Sequence, residues 1–344
     1  MKLGMSYFGN RYKDCAKRHF RHMKEIGVSY IVFTFSENDL AFYEHTMHEL
    51  FSLAHSMGME VWADPWGMGG VFGGEAFSAA LLASPDDWQV RSDGKSVPHA
   101  CLNSRRFRNF VKLWIDSVVA GGTDYIFWDE PHWYIPGWDA SAAKRLGMKA
   151  EDMDIKGLWA CRCNNCQNLF FQRYGHPMPK EMTEEVSEFR QASAYDFLRE
   201  MTEYGKVKGI KNAICFLPLD NKQIGIPDAD SIASLDSVDV IGSDPYWYIF
   251  NRSVDDFVKP VTQRFIELGR KYSKEVHMWF QGYKVPAGRE LEMEEAVKKI
   301  HELGVRNAAV WAYNGASHMS YLRSDDPEKV NRILEDIFKK FSKK

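Results

Sequence analysis

The sequence predicts a closed parallel barrel of eight strands, each followed by a helix: the (β/α)8 or TIM barrel of the α/β class. Three observations point to it. Eight short apolar runs rich in β-branched and aromatic residues recur along the 344 residues. Stretches with apolar residues at helical spacing lie between them, and several of those stretches stop at glycine just before the next run. Repeated βα units of this number close a parallel barrel, which needs roughly 250 residues. A doubly wound open sheet would begin with a glycine-rich phosphate turn. Here the first run leads into Phe8-Gly9-Asn10-Arg11, without G-x-G-x-x-G. The chain therefore reads as a single catalytic barrel over residues 1–344.

The predicted strands are Leu3–Phe8, Tyr30–Phe35, Glu60–Ala63, Tyr125–Trp128, Ala213–Leu217, Val238–Gly242, Val276–Phe280 and Asn307–Ala312. One helical stripe runs through Phe107, Phe110, Val111, Trp114, Ile115 and Val118. A second uses Phe257, Val258, Val261, Phe265 and Leu268, and a third closes the chain with Val330, Ile333, Leu334, Ile337 and Phe341. Gly27, Gly58, Gly121–Gly122 and Gly304 stand where left-handed C-caps are expected. Two stretches depart from the repeat: Trp66 to about Pro98, and an insertion over 131–183. Such insertions decorate the C-terminal face, where barrel enzymes keep their active sites.

Composition narrows the function. Lys and Arg number 44 against 47 Asp and Glu, a net charge of -3 with mixed signs, which argues against a nucleic-acid surface. No apolar run approaches the ~20 residues that cross a bilayer. Met1 to Tyr7 lacks the apolar core of a secretory signal, so a cytoplasmic enzyme is expected. Six cysteines are too few for a disulfide scaffold of this size. Aromatic residues on the insertions would serve a homo-oligomer as readily as a substrate.

Acids and large rings recur together where the strands end. The ends read Ser36-Glu37-Asn38-Asp39, Asp64-Pro65-Trp66, Asp129-Glu130-Pro131-His132-Trp133, Ser243-Asp244-Pro245-Tyr246-Trp247, Gln281-Gly282-Tyr283 and, after the last strand, Tyr313-Asn314-Gly315. A rim of flat apolar rings with a few carboxylates suits a sugar, whose C–H faces stack on aromatics while its hydroxyls seek acceptors. The carbohydrate-binding candidates are Glu37, Asp64, Trp66, Asp129, Trp133, Tyr246, Trp247, Gln281 and Trp311. Breaking a glycosidic bond needs one carboxylic acid to protonate the leaving oxygen and a second carboxylate as nucleophile or base. Glu130, after the fourth strand, is the expected proton donor.

The stretch Phe127-Trp128-Asp129-Glu130-Pro131 resembles the strand-4 acid/base motif of clan A glycoside hydrolases. Cys161-Arg162-Cys163-Asn164-Asn165-Cys166 brings three thiols into a C-x-C-x-x-C knuckle, a spacing that lets them converge on one ion. It is similar to the cysteine cluster of the family 42 β-galactosidases, which also follows the strand-4 acid and takes a fourth cysteine from the segment before that strand. Cys101 stands in the corresponding place here. The resemblance implies a structural zinc on Cys101, Cys161, Cys163 and Cys166, pinning the insertion after strand 4.

The strand-7 position departs from the clan pattern. Where those enzymes carry a nucleophilic Glu, this chain has Gln281, whose amide cannot form a glycosyl ester. Three second carboxylates remain in order of preference: Asp244, with Asp64 or Glu37 assisting; Asp129 beside Glu130, resembling the substrate-assisted N-acetylhexosaminidases; or Glu290 folded back over the pocket. The second arrangement requires the strand to end between the two acids, because strand neighbours face opposite ways. A carbohydrate-binding pseudoenzyme is the competing class. A metal-dependent hydrolase is disfavoured by scattered histidines and by the lack of an H-x-H pair on strand 1.

Overall fold

The computed structural model describes residues 1–136, 157–219 and 225–342. Its strands are β1 (Lys2–Tyr7), β2 (Tyr30–Thr34), β3 (Glu60–Asp64), β4 (Trp88–Val90), β5 (Ser96–Ala100), β6 (Tyr125–Asp129), β7 (Lys211–Phe216), β8 (Val240–Ser243), β9 (Glu275–Gln281) and β10 (Asn307–Trp311). Eight of them close a barrel in the order β1-β10-β9-β8-β7-β6-β3-β2. Every neighbouring pair in it is parallel, and β1 bonds both β2 and β10 to complete the ring. The eight expected strands are these eight, with ends moved by one or two residues. The chain is a TIM barrel.

Long helices pack around the ring: α1 (Lys13–Ile26), α2 (Glu37–Ser56), α4 (Arg105–Ala120), α6 (Glu184–Val207), α8 (Lys259–Tyr272), α9 (Glu292–Glu302) and α10 (Pro327–Phe341). Shorter ones are α3 (Ala79–Ala83), α5 (Asn164–Tyr174) and α7 (Ala229–Ala233). The apolar stripe of α4 buries Phe107, Val111, Trp114, Ile115 and Val118 as its spacing requires. The Trp114 indole also donates to the Phe35 carbonyl at 2.8 Å, tying α4 to the end of β2. α1 ends at Gly27 with φ 102°, a left-handed cap that a side chain would strain. Among the described residues no helix is long and apolar enough to cross a membrane.

The first excursion holds an antiparallel hairpin, β4 with β5, which the periodicity of the chain does not announce. Its turn is Asp93-Gly94, with Gly94 at φ 89° and Arg91 N–H bonded to the Lys95 carbonyl. Asp-Gly between short apolar runs is a hairpin signal that was present in the sequence. In the second excursion, 131–183, residues 137–156 lie outside the described residues.

Side chains fill the lower half of the barrel. Tyr30, Trp62 and Tyr125 stack with centroids 4.6 and 4.4 Å apart, and Lys2 Nζ lies 5.2 to 5.4 Å from all three ring centres. The N-terminal end is thus plugged, and chemistry is left to the C-terminal end. At the wall, β8 approaches β9 so closely that a Cβ on Gly242 would sit 1.7 Å from the His277 carbonyl oxygen. Gly242→Ala should therefore destabilise the barrel by at least ~3 kcal/mol, read as a lower denaturant midpoint. An unchanged midpoint would contradict this packing.

Candidate active site

Strand parity selects the acids. Tyr125 and Phe127 of β6 point into the barrel, and Asp129 follows them inward. Trp128 faces the helices, where its indole donates to Asn212 Oδ1 at 2.9 Å. Had the strand continued, Glu130 would face outward as well. Instead β6 ends at Asp129 and Glu130 adopts φ 42°, a left-handed backbone that is costly for a residue with a Cβ. Its N–H donates to the Cys215 carbonyl at 3.0 Å. The reversal brings both carboxyls to one side. A Cβ on Gly73 would lie 2.5 Å from Asp129 Oδ2 and 3.1 Å from Glu130 Oε2. Only glycine permits that loop to settle on the acids, where the Gly73 N–H also bonds the Asp129 carbonyl at 2.9 Å.

Asp244 comes from the end of β8, inward by the parity of Val240, and Asp64 ends β3, inward by the parity of Trp62. Both are buried. The Glu130 and Asp244 carboxyls are hydrogen-bonded to each other. Burial raises Glu130 well above the usual carboxylate range, and the Asp244 charge and the shared bond push it further. Burial also lifts Asp244 to about 8, but there the same bond acts downward, together with a bond from the Cys215 thiol. Both acids are thus driven by burial toward their protonated forms, and a carboxyl that keeps its proton can donate it to its neighbour.

Asp129 and Asp64 are raised by burial first and by neighbouring acids second. A fifth acid, Glu75, stands on the loop two residues beyond Gly73. The residue is exposed, yet the protein around its carboxyl raises it to about 7, and its charge acts on Asp64, Asp129 and Glu130. Sequence reasoning missed Glu75 because it lies within an excursion and not at a strand end. Its one signal was the Gly73-Gly74 pair before it.

Rings cover the other half of the mouth in a continuous chain. Trp66 meets Phe8 at 5.6 Å, Phe8 stacks on Trp311 at 4.8 Å, Trp311 meets Tyr283 at 4.8 Å, and Tyr283 meets Tyr246 at 5.1 Å. Trp66, Tyr246 and Trp311 are thus brought together as the rim reading required, joined by Phe8 and Tyr283.

Other rim candidates lie elsewhere. Trp133 is fully buried and its indole donates to the Arg190 carbonyl at 3.1 Å. Trp247, also fully buried, donates to Glu292 at 3.0 Å. Both face the helices, because the chain reverses direction after each strand end and parity no longer applies. Glu37 caps a loop: its carboxylate accepts from Gly69 N–H, the Ser78 hydroxyl and Ala80 N–H at 2.9, 2.6 and 2.7 Å. It holds the segment that carries Glu75 and does not enter the mouth. Gln281 braces two loops, its oxygen accepting from Tyr248 N–H and its amide donating to the Tyr283 carbonyl, each at 3.0 Å. Glu290 is bound to Lys329 at 2.8 Å and does not fold over the pocket.

Three cysteines of the second excursion converge with Cys101. The Sγ atoms of Cys101, Cys161, Cys163 and Cys166 all lie within 4.8 Å of one another, and Cys101 is 3.4 Å from both Cys163 and Cys166. Four thiolates on one zinc at bonds near 2.3 Å would have edges of about 3.8 Å. The surroundings suit thiolate: Val90 N–H, Cys163 N–H and the Asn103 amide donate to sulfur, and the Arg190 guanidinium, which burial lowers to about 10, feels Cys161 and Cys166 acting in the opposite sense.

No family model matches the sequence and no curated protein matches it. Solved structures do. An endo-1,4-β-mannanase from Rhizomucor miehei aligns with a TM-score of 0.63 at 12% identity, over 98% of this chain and 94% of that one. An endo-β-1,4-mannanase from Thermotoga petrophila aligns with a TM-score of 0.59 at 11% identity, over 98% of this chain and 77% of that one. At such identity the likeness is one of fold. It places the chain among (β/α)8 barrels.

The raised acids make a stability prediction with a definite sign. An unfolded Asp releases its proton near pH 4, whereas folded Asp244 keeps it until about 8. The stability this group supports is therefore complete below pH 4 and is lost as pH rises through 8. Asp244→Asn still accepts the Glu130 hydrogen bond but cannot ionise. It should melt higher than wild type at pH 8, by a few kcal/mol of stability, with the difference vanishing toward pH 4. A variant less stable than wild type at pH 8 would contradict the assignment.

Proposed function

We propose that the chain is a glycoside hydrolase in which Glu130 is the proton donor and Asp244 its partner carboxylate, acting on an oligosaccharide or glycoside. The observation that carries this is the buried pair of carboxyls, Glu130 beside Asp244, below a rim of stacked rings. The rings offer a sugar its stacking surface, and Asp64, Asp129 and Glu75 offer its hydroxyls acceptors. The barrel neighbours named as endo-mannanases support the reading only to the extent that this fold carries such chemistry.

The steps follow from the pair. In the free protein Asp244 takes the hydrogen bond of Glu130. A bound sugar puts its glycosidic oxygen in that place, and Glu130 donates the proton to it as the C–O bond breaks. Asp244 passes its own proton to water at the opened mouth, and the resulting carboxylate attacks the anomeric carbon or removes a proton from an attacking water. Carboxyls in hydrogen-bond contact are closer than the ~5 Å of retaining or the ~6.5–9.5 Å of inverting enzymes, so substrate entry must separate them. The separation reached decides between the two outcomes.

A second reading, substrate-assisted cleavage by Asp129 and Glu130, is favoured by one observation: the strand does end between them, and both carboxyls face Gly73. It requires an acetamido substrate. The pseudoenzyme alternative rested on Gln281, which serves here as a loop brace.

We further propose that Cys101, Cys161, Cys163 and Cys166 hold zinc. With four thiolates the ion has no open position, so its role is structural, fixing the second excursion beside the mouth. Metal analysis should find one zinc per chain, and Cys163→Ser should abolish it with a fall of the melting temperature. Full stability without metal would contradict this.

Glu130→Gln tests the catalytic assignment. On substrates with poor leaving groups kcat/KM should fall about 10²–10⁴-fold, while activated aryl glycosides, which need little protonation, should be partly spared. Undiminished turnover across a panel of glycosides would refute the role.

A further inference from the structure

Below the acids the barrel carries an unmet hydrogen-bonding demand. Trp279 of β9 is buried, points inward and packs on Phe127 with ring centres 5.2 Å apart. Its indole N–H has no partner. Every other buried tryptophan among the described residues donates to a protein oxygen: Trp62 to Glu60, Trp114 to Phe35, Trp128 to Asn212, Trp133 to Arg190, Trp159 to Lys180 and Trp247 to Glu292. An indole without a protein partner at this one place is an exception to the pattern of the other six.

Two acceptors share the condition. Asp64 Oδ1 and Asp244 Oδ1 are buried and without a hydrogen-bond partner. The barrel register relates one of them to Trp279 directly and the other through Phe127. Ser243 pairs with Met278, which places Asp244 beside Trp279 on adjoining strands. Ala63 pairs with Ile126, which places Asp64 beside Phe127, the ring on which Trp279 packs. One donor and two acceptors, all facing inward at the same end of the barrel, match what a hydroxyl group can bond: it accepts from the indole and donates to a carboxyl.

We propose that Trp279, Asp64 and Asp244 form a floor subsite that takes one hydroxyl of the bound sugar and so selects among sugars. The inference rests on the carbohydrate reading above and adds to it the group that recognises the ring from below. In the substrate-free form these atoms have no access to water. The entry of a ring that parts Glu130 from Asp244 opens the floor and supplies the missing hydroxyl. Stacking on Trp66 and Trp311 tolerates any pyranose, whereas a buried donor left unpaired rejects a ring that lacks the matching oxygen.

The test is calorimetric titration of the full chain with D-glucose, D-galactose, D-mannose, D-xylose and N-acetyl-D-glucosamine. Wild type and Glu130→Gln should bind one of these best. Trp279→Phe, which keeps a flat ring and removes the N–H, should bind that sugar about tenfold more weakly. The monodeoxy form of the same sugar lacking the recognised hydroxyl should lose about as much on wild type and nothing further on Trp279→Phe. Asp64→Asn, nearly isosteric, gives a second reading should Trp279→Phe fail to fold, and it should show the same non-additivity. Unchanged affinity in a folded Trp279→Phe, losses that multiply, or no binding of any of the five sugars would overturn the inference. Should Glu130→Gln keep full turnover while Trp279→Phe still loses affinity, the catalytic reading falls and the subsite stands.

Discussion

Two carboxyl groups can share a hydrogen bond only while one of them keeps its proton. In this barrel that condition is imposed by burial: water is withdrawn from Glu130 and Asp244, the charged forms lose their solvation, and the pair becomes cheaper to hold with a proton between its members than as two anions. A protonated carboxyl at neutral pH is what departure of an alkoxide requires. The cost falls on the folded state, which carries Asp64 and Asp129 under similar compulsion. Such concentration of unfavourable charge is the usual mark of a site that trades stability for function.

Much of the surrounding architecture serves to hold those groups where water is scarce. The left-handed backbone at Glu130 turns its side chain from the helical layer to the side of Asp129. Gly73 lets a loop rest on the two carboxyls, and Glu37, through three hydrogen bonds, holds the segment around that loop from beneath. The thiol cluster stands on the next excursion, with Cys101 following β5 and the knuckle opening α5. Below, the stacked rings of Tyr30, Trp62 and Tyr125 fill the barrel's N-terminal half.

The barrel was legible because its signals are periodic: inward alternation on strands, apolar stripes on helices and glycine stops survive without any knowledge of contacts. The position of the acids was legible for the same reason, since parity and strand ends place Asp64, Asp129 and Asp244 inside. What parity cannot describe is the chain after a strand ends. Trp133 and Trp247 share their loops with true rim residues, yet each turns into the helical layer to satisfy its indole. Glu37 and Gln281 are of the right chemical type at the right end, and backbone groups claim both. Glu75 and Trp279 were passed over for the opposite reason. One lies in an irregular loop, and the other looks like ordinary core until its unpaired N–H is seen.

The direct measurement is the protonation of Glu130 itself. Carbon-13 NMR of protein labelled at the Asp and Glu carboxyls, titrated from pH 4 to 10 with Glu130→Gln to identify the resonance, follows each group separately. The account predicts a glutamate signal, absent from the variant, that keeps the chemical shift of the acid form well above the usual carboxylate range. If the glutamate signal that the variant lacks instead titrates near the ordinary value of about 4.3, no proton is held between the two carboxyls and the account is wrong.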